Sequence, residues 1–199
     1  TFVRFASHGQ QLASADVFAM AERLGVSLLL DKALVSYILS QLRGCTGRFA
    51  INLSKSALHD EQFILWLVNT ITSNQAQLPQ LVFEVNEQAT LGAIGSAKHF
   101  FDSVKAAGAA VTIERFGASF SSFRYLQGLN VDFIKIDGSF IRALEEADTR
   151  FFVETMTHIC HGIGIRVIAA QVETAAQIAH CQKLRVDALQ GRALHHPIS

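Results

Sequence analysis

An α/β fold, a (β/α)8 TIM-like barrel whose first strand lies upstream of Thr1, is the architecture this sequence predicts. Short apolar, β-branched runs alternate with longer stretches of helical periodicity, the pattern of a parallel sheet covered by helices. Seven strand candidates can be counted where a closed barrel needs about eight. Nearly every strand candidate ends on a polar or charged residue, and in such barrels chemistry gathers at the C-terminal ends of the strands. A doubly wound open sheet is the competing arrangement. It would carry a glycine-rich phosphate loop after an early strand, and neither G-x-G-x-x-G nor a Walker sequence is present.

Thr1–Phe5 opens the chain as a strand. Ser14–Leu24 follows as a helix with a Ser or Asp cap, and Leu28–Leu42 as a second helix. Strand Arg48–Leu53 leads to helix Asp60–Ser73, which carries Phe63, Trp66, Leu67 and Thr70 at helical spacing. Strand Leu81–Val85 precedes helix Ala89–Ala107, and strand Ala110–Arg115 precedes helix Ser119–Leu129. Strand Val131–Ile136 precedes helices Gly138–Glu146 and Thr149–Ile163. Strands Arg166–Ala170 and Val186–Leu189, with helix Thr174–Leu184 between them, complete the pattern.

The 199 residues fit a single domain, 1–199, read as a fragment of a longer protein, and half of them are apolar. Basic and acidic residues balance at 17 each, which argues against a duplex nucleic-acid binder. A small anionic ligand needs only a few placed donors and stays compatible with that balance. No run of about 18 apolar residues occurs, so no insertion of this segment into a membrane is expected. Cys45, Cys160 and Cys181 are few and widely spaced and read as reduced thiols of a cytoplasmic domain.

The strand ends carry the functional signal. Arg4 and Asn52 close the first two strands, Glu84 sits late in the third with Glu87 beyond it, and Glu114 and Arg115 end the fourth. Lys135 and Asp137 end the fifth, the sixth runs into Ala170, Gln171 and Glu173, and Gln190 ends the seventh. Any one such residue is ordinary, because loops begin where strands end. Glu84 and Lys135 stand out because each lies inside an apolar run, where a charge is costly unless paired or bound.

With these residues in view, the chain resembles the EAL family of cyclic di-GMP phosphodiesterases over its full length. Ala50-Ile-Asn-Leu-Ser54 is similar to the family's V-N-L-S strand with its metal-binding Asn, and Phe83-Glu-Val-Asn-Glu87 to E-I-T-E, whose first Glu is a metal ligand. Ile113-Glu-Arg-Phe-Gly117 followed by Ser119-Phe-Ser-Ser122 sits where D-D-F-G-x-G-x-S-S belongs. Lys135-Ile-Asp-Gly-Ser-Phe140 resembles K-I-D-x-x-F, Ala169-Ala-Gln-Val-Glu-Thr174 resembles A-E-G-V-E-T, and Gln190-Gly191 with Pro197 resembles the closing Q-G…P. The Arg of E-A-L-x-R corresponds to Arg4, and the Glu of that motif falls before Thr1.

The departures from the motifs imply a degenerate, receptor-type member of the LapD and FimX kind. The two adjacent Asp metal ligands of D-D-F-G are Glu114 and Arg115 here. A guanidinium stays protonated and puts positive charge where a divalent ion would sit. The proposed general base, the Glu of A-E-G-V-E-T, is Ala170. Asn52 and Glu84 remain as remnants of a metal site, so the resemblance implies no catalytic residue, no metal and no cofactor. It implies a cyclic di-GMP pocket in which Arg4 meets a phosphate, Glu173 reads a guanine, Asp31 reads the other base, Gln190 and Gly191 line the wall, and Pro197 packs on a base. Two readings of Arg115 stand: with Lys135 it supplies the counter-charge for the phosphates, or it pairs with Glu84 or Glu114 and fills the vacated site. A degenerate GGDEF companion domain, a homodimer and attachment to a membrane-anchored protein are further implications. A nucleotide-free scaffold for protein contacts and a residual phosphodiesterase are the alternatives.

Other signals weigh less. His158-Ile-Cys-His161 lacks a fourth partner at zinc spacing, and His195-His196 reads as tail. Ser119, Ser121 and Ser122 form no G-x-S-x-G elbow. Phe49, Phe83 and Phe133 read as core; Phe116, Phe120 and Phe123 near the rim read as core first, with contact to a base as the alternative.

Overall fold

The computed structural model describes residues 5–7, 10–74, 80–118 and 123–194. A short antiparallel hairpin opens it, with β1 (Phe5–Ser7) paired to β2 (Gln10–Leu12). Helices α1 (Ser14–Arg23) and α2 (Ser27–Gln41) follow, then β3 (Arg48–Asn52) and α3 (Glu61–Asn74). The chain continues through β4 (Gln80–Asn86), α4 (Glu87–Gly92), α5 (Ile94–Ala106), β5 (Ala110–Phe116), β6 (Phe133–Ile136), α6 (Gly138–Arg142) and α7 (Ala147–Gly162). It ends with β7 (Arg166–Ala170), α8 (Ala175–Lys183) and β8 (Ala188–Gln190). Strands β3 to β8 form one parallel sheet in sequential order, the wall of an α/β barrel.

Two apolar layers show which way each strand faces. The large core lies between the sheet and its helices and takes Ile51, Phe83, Val85, Val111, Ile113, Ile134, Ile136, Val167 and Ala169 from the strands. A second cluster of Val82, Ala110 and Phe133, with Ala50 and Ile168 against it, comes from the alternate positions. A strand presents successive side chains to opposite faces, so this second cluster fills the concave side. The Arg48 and Arg166 guanidiniums lie over Phe133, 5.2 and 4.2 Å from its ring centre, and cover that layer at the N-terminal end of the strands. One step toward the C-terminal ends, the same face carries Asn52, Glu84, Thr112, Lys135, Ala170 and Gln190.

Several predicted elements differ from those found. The described part of the first strand, from Phe5, belongs to the hairpin, antiparallel to the unforeseen β2, and not to the parallel sheet. The single helix expected over Ala89–Ala107 is two, broken where Ala93 takes φ −156°, ψ 61°. The described part of Ser119–Leu129 is a 3-10 turn, Phe123–Gly128, and Gly138–Glu146 is helical only to Arg142. Neither Ser14 nor Asp16 caps α1; the cap position is Ala13, which makes no side-chain bond. Phe83, Phe116 and Phe133 are buried, and Phe49 and Phe123 pack against the core, as expected; Phe120 lies outside the described residues. All three cysteines are free, and burial pushes the Cys160 and Cys181 thiols up to about 12 and about 11. No helix among the described residues is long and apolar enough to cross a membrane.

Candidate functional site

The C-terminal ends of the strands open into a cleft of about 770 Å3. Every strand of the parallel sheet sends a residue to it. Asn52 comes from β3, Glu84 from β4, Glu114 and Arg115 from β5, Lys135 and Asp137 from β6 and its end, Ala170 from β7, and Gln190 from β8. Gln171 and Glu173 join from the β7–α8 loop, and Gly191 and Arg192 from the turn after β8. Register explains the convergence: Asn52 pairs with Glu84, Asn86 with Glu114, and Ala170 with Gln190, so the polar ends lie at one level.

At the base of the cleft, Lys135 Nζ donates to Glu84 Oε1 at 2.5 Å, with both residues buried. The charges foreseen as costly inside apolar runs therefore satisfy one another. Burial pushes the Glu114 carboxyl above its ordinary range, and the neighbouring Glu84 charge adds to that push against the opposing pull of Lys135 and Arg115.

Arg115 sits on a β-bulge. The β5–β6 register shifts between Ile113 and Phe116, and Arg115 takes a left-handed φ of 55°. Bulges re-aim side chains, and this one turns Arg115 outward with 69% of its side chain exposed. Its ion-pair partner is Asp137, Nε to Oδ2 at 4.0 Å, and not Glu84 or Glu114. The reading in which Arg115 pairs with Glu84 or Glu114 and fills the vacated site is thereby corrected: Lys135 takes Glu84, and the bulge brings the guanidinium to Asp137. Asp137 also accepts from the Ser139 N–H at 2.9 Å as the cap of α6. Partial burial pushes its carboxyl up, but the Ser139 hydrogen bonds and the nearby Arg115 and Arg142 charges outweigh this and hold it below the usual range.

A pair of divalent ions does not fit this donor set. The carboxylates lining the cleft are Glu84, engaged by an ammonium, Glu114, next to a guanidinium, Asp137, paired with Arg115 and capping α6, and Glu173, exposed on the β7–α8 loop. Among the described residues no three of them group as a metal site. Ala170 offers the cleft only a methyl. Oxygen-rich coordination by hard cations asks for more free acid oxygens than these positions hold.

The far wall is built on close backbone approach. A Cβ on Gly191 would overlap the backbone N, C and O of Val172. That absence of a side chain lets Val172 N–H donate to Gln190 O at 3.0 Å and Ala193 N–H donate to Val172 O at 3.1 Å. The clasp fixes the loop that carries Glu173. Thr174 and Gln177 form a capping box at the start of α8, and Gln177 Oε1 also accepts from Glu173 N–H at 2.7 Å. Glu173 is exposed and lines the cleft.

The structure thus brings Glu114, Arg115, Lys135, Ala170, Glu173, Gln190 and Gly191 together with Asn52 and Glu84. Arg4 and Pro197 lie outside the described residues. Asp31 does not line the cleft. It is 1% exposed and accepts from Ser54 Oγ–H at 2.6 Å and from Ser54 N–H, tying α2 to the turn after β3. Burial pushes its carboxyl up against the pull of those Ser54 bonds. On α2 it shares the buried stripe of Leu34, Val35, Ile38 and Leu39 at helical spacing, a signal that pointed inward. His158 is exposed while Cys160 is buried, and His161 faces Asp187 at 2.8 Å, so that trio does not converge. Three polar lining residues were not assigned to the site from the sequence: Asp137 and Gln171, noted only as strand ends, and Arg192, which directly follows the Gln190-Gly191 pair.

Comparison with known proteins agrees with this geometry. A model of the EAL domain family matches residues 1–197. The cyclic di-GMP phosphodiesterase PdeA of Borreliella burgdorferi is 24% identical over 195 residues, 95% of this chain and 29% of that protein. The cyclic di-GMP phosphodiesterase PdeF of Escherichia coli is 27% identical over 202 residues, 98% of this chain and 27% of that protein. The chain therefore spans under a third of the length of these curated relatives. Among solved structures, the FimX EAL domain from Pseudomonas aeruginosa bound to c-di-GMP has a TM-score of 0.88 at 25% identity, covering 95% of this chain and 78% of that one. Vibrio cholerae LapD, as an S helix-GGDEF-EAL chain bound to c-di-GMP, shares the fold with a TM-score of 0.86 at 24% identity, covering 94% and 47%.

Proposed function

Because the chain belongs to the EAL domain family, we propose that this domain binds cyclic di-GMP as a metal-independent receptor and does not hydrolyse it. The observation that carries the reading is the end of β5, where Glu114 and the exposed guanidinium of Arg115 stand in place of two adjacent aspartates. Two-metal hydrolysis uses the ions to make hydroxide and to neutralise the phosphate. Arg115 and Lys135 bring positive charge to the same cleft without ions, and Ala170 has no atom that takes a proton from water.

In this reading Glu173 accepts from guanine N1–H and N2–H together, Gln190 and Gly191 form the wall near the phosphates, and Arg4 and Pro197 complete the pocket from outside the described residues. The parent protein carries companion domains, a degenerate GGDEF among them, and the domain reports ligand occupancy to its neighbours from the cytoplasm. Glu173→Ala removes a charge-assisted hydrogen-bond pair and should cost about 1.5–3 kcal/mol of binding, roughly tenfold or more in affinity. Competition between the guanine and adenine dinucleotides reads this directly, and an undiminished guanine preference removes Glu173 from the site.

Asn52, Glu84 and Glu114 still face the cleft, so residual phosphodiesterase chemistry is the second reading. It requires Lys135 to release Glu84. Incubation of the protein with cyclic di-GMP and Mg2+ or Mn2+, followed by chromatography, is expected to return the cyclic dinucleotide intact. Linear product that forms in proportion to protein and vanishes with EDTA would overturn the proposal.

A further inference from the structure

Gln171 takes the left-handed φ of 60°, a conformation that costs an L side chain and suits glycine. Its side chain lies over Gly138, where a Cβ would collide with the Gln171 carboxamide. Arg142 Nη1 donates to Gln171 Oε1 at 2.5 Å. A guanidinium has only donors, so the carboxamide must turn its oxygen to Arg142, and that fixes which end of the amide is left. The remaining end is Nε2 with two N–H donors, and no described residue accepts from it. Gln171 and Gly138 both line the cleft, beside Ala170. A strained backbone, a glycine that makes room and an arginine that sets the amide's orientation converge on one side chain.

We propose that Gln171 is a ligand-contacting residue of this cleft, its carboxamide locked by Arg142 so that Nε2–H donates to an anionic phosphoryl oxygen. The assignment rests on the cyclic di-GMP reading above and deepens it. Ala170 removes an acceptor from this wall, and Gln171 adds a donor next to it. With Arg115 in the same cleft, the wall holds anions without metal.

Gln171→Glu separates this role from a structural one. A carboxylate still accepts from Arg142 and still fits over Gly138, so the loop is held, but the donor becomes a negative charge. Cyclic di-GMP binding in EDTA should weaken at least about tenfold in Gln171→Glu, as expected when a charge-assisted hydrogen bond is lost. Gln171→Gly should also bind more weakly while unfolding at the same or a higher temperature, because glycine is at ease at positive φ. Wild-type affinity in Gln171→Glu overturns the proposal. If the wild-type protein binds no cyclic di-GMP, the receptor reading falls, and the donor is then tested alone with inorganic pyrophosphate. In that case a shift of the Gln171 side-chain amide resonances in a 1H–15N spectrum supports the assignment, and no shift overturns it.

Discussion

Lys135→Met is expected to cost about 3–5 kcal/mol of folding stability, because it leaves the Glu84 carboxylate buried and uncompensated. Glu84 is 5% exposed and Lys135 8% exposed, and the two side chains are each other's ion-pair partner on the concave face of the sheet. The cost belongs to the orphaned charge and not to the loss of attraction alone. Lys135→Met combined with Glu84→Leu should therefore recover most of the loss, since an apolar pair of similar volume is often neutral or better at such a place. Urea unfolding of the three proteins measures both effects. A single variant within about 1 kcal/mol of wild type would mean that solvent reaches Glu84 and that the base of the cleft is wetter than its geometry indicates.

Gly191→Ala is the second large effect. The added methyl would meet three backbone atoms of Val172, and backbone cannot swing aside as a side-chain end can. Overpacking of this kind costs about 1–3 kcal/mol. The displaced segment carries Glu173, the lining residue directly after Val172, so binding should fall with stability. Thermal unfolding and a cyclic di-GMP titration on the same preparation are expected to move together. Unchanged values in both would mean that the β8 turn and the β7–α8 loop are not clasped through this glycine.

What the sequence made legible follows from physical signals of different range. The strands from β3 onward stood out because a parallel strand covered on both faces reads as an uninterrupted apolar run. The polar residues that close those runs marked the rim, since a Glu84 or a Lys135 inside an apolar run needs a partner close by. The β1–β2 hairpin was missed because three-residue strands carry no period to detect. The break between α4 and α5 follows Gly92, but a lone glycine in a helical pattern is too weak a signal to end a helix. Asp31 was assigned to a base only through the resemblance, whereas its helical phase puts it on the buried stripe of α2, bonded to Ser54. Gln171 and the outward turn of Arg115 depend on positive φ angles at non-glycine residues, which tertiary packing imposes against local preference.

The most direct test of a metal-independent receptor is isothermal titration of cyclic di-GMP into the purified domain, once in EDTA and once in Mg2+. Saturable binding of similar affinity in both buffers is the predicted result. Absence of heat and of competition in both would contradict it and leave a nucleotide-free scaffold for protein contacts, whereas binding that appears only with Mg2+ would mean that Asn52, Glu84 and Glu114 hold a metal after all.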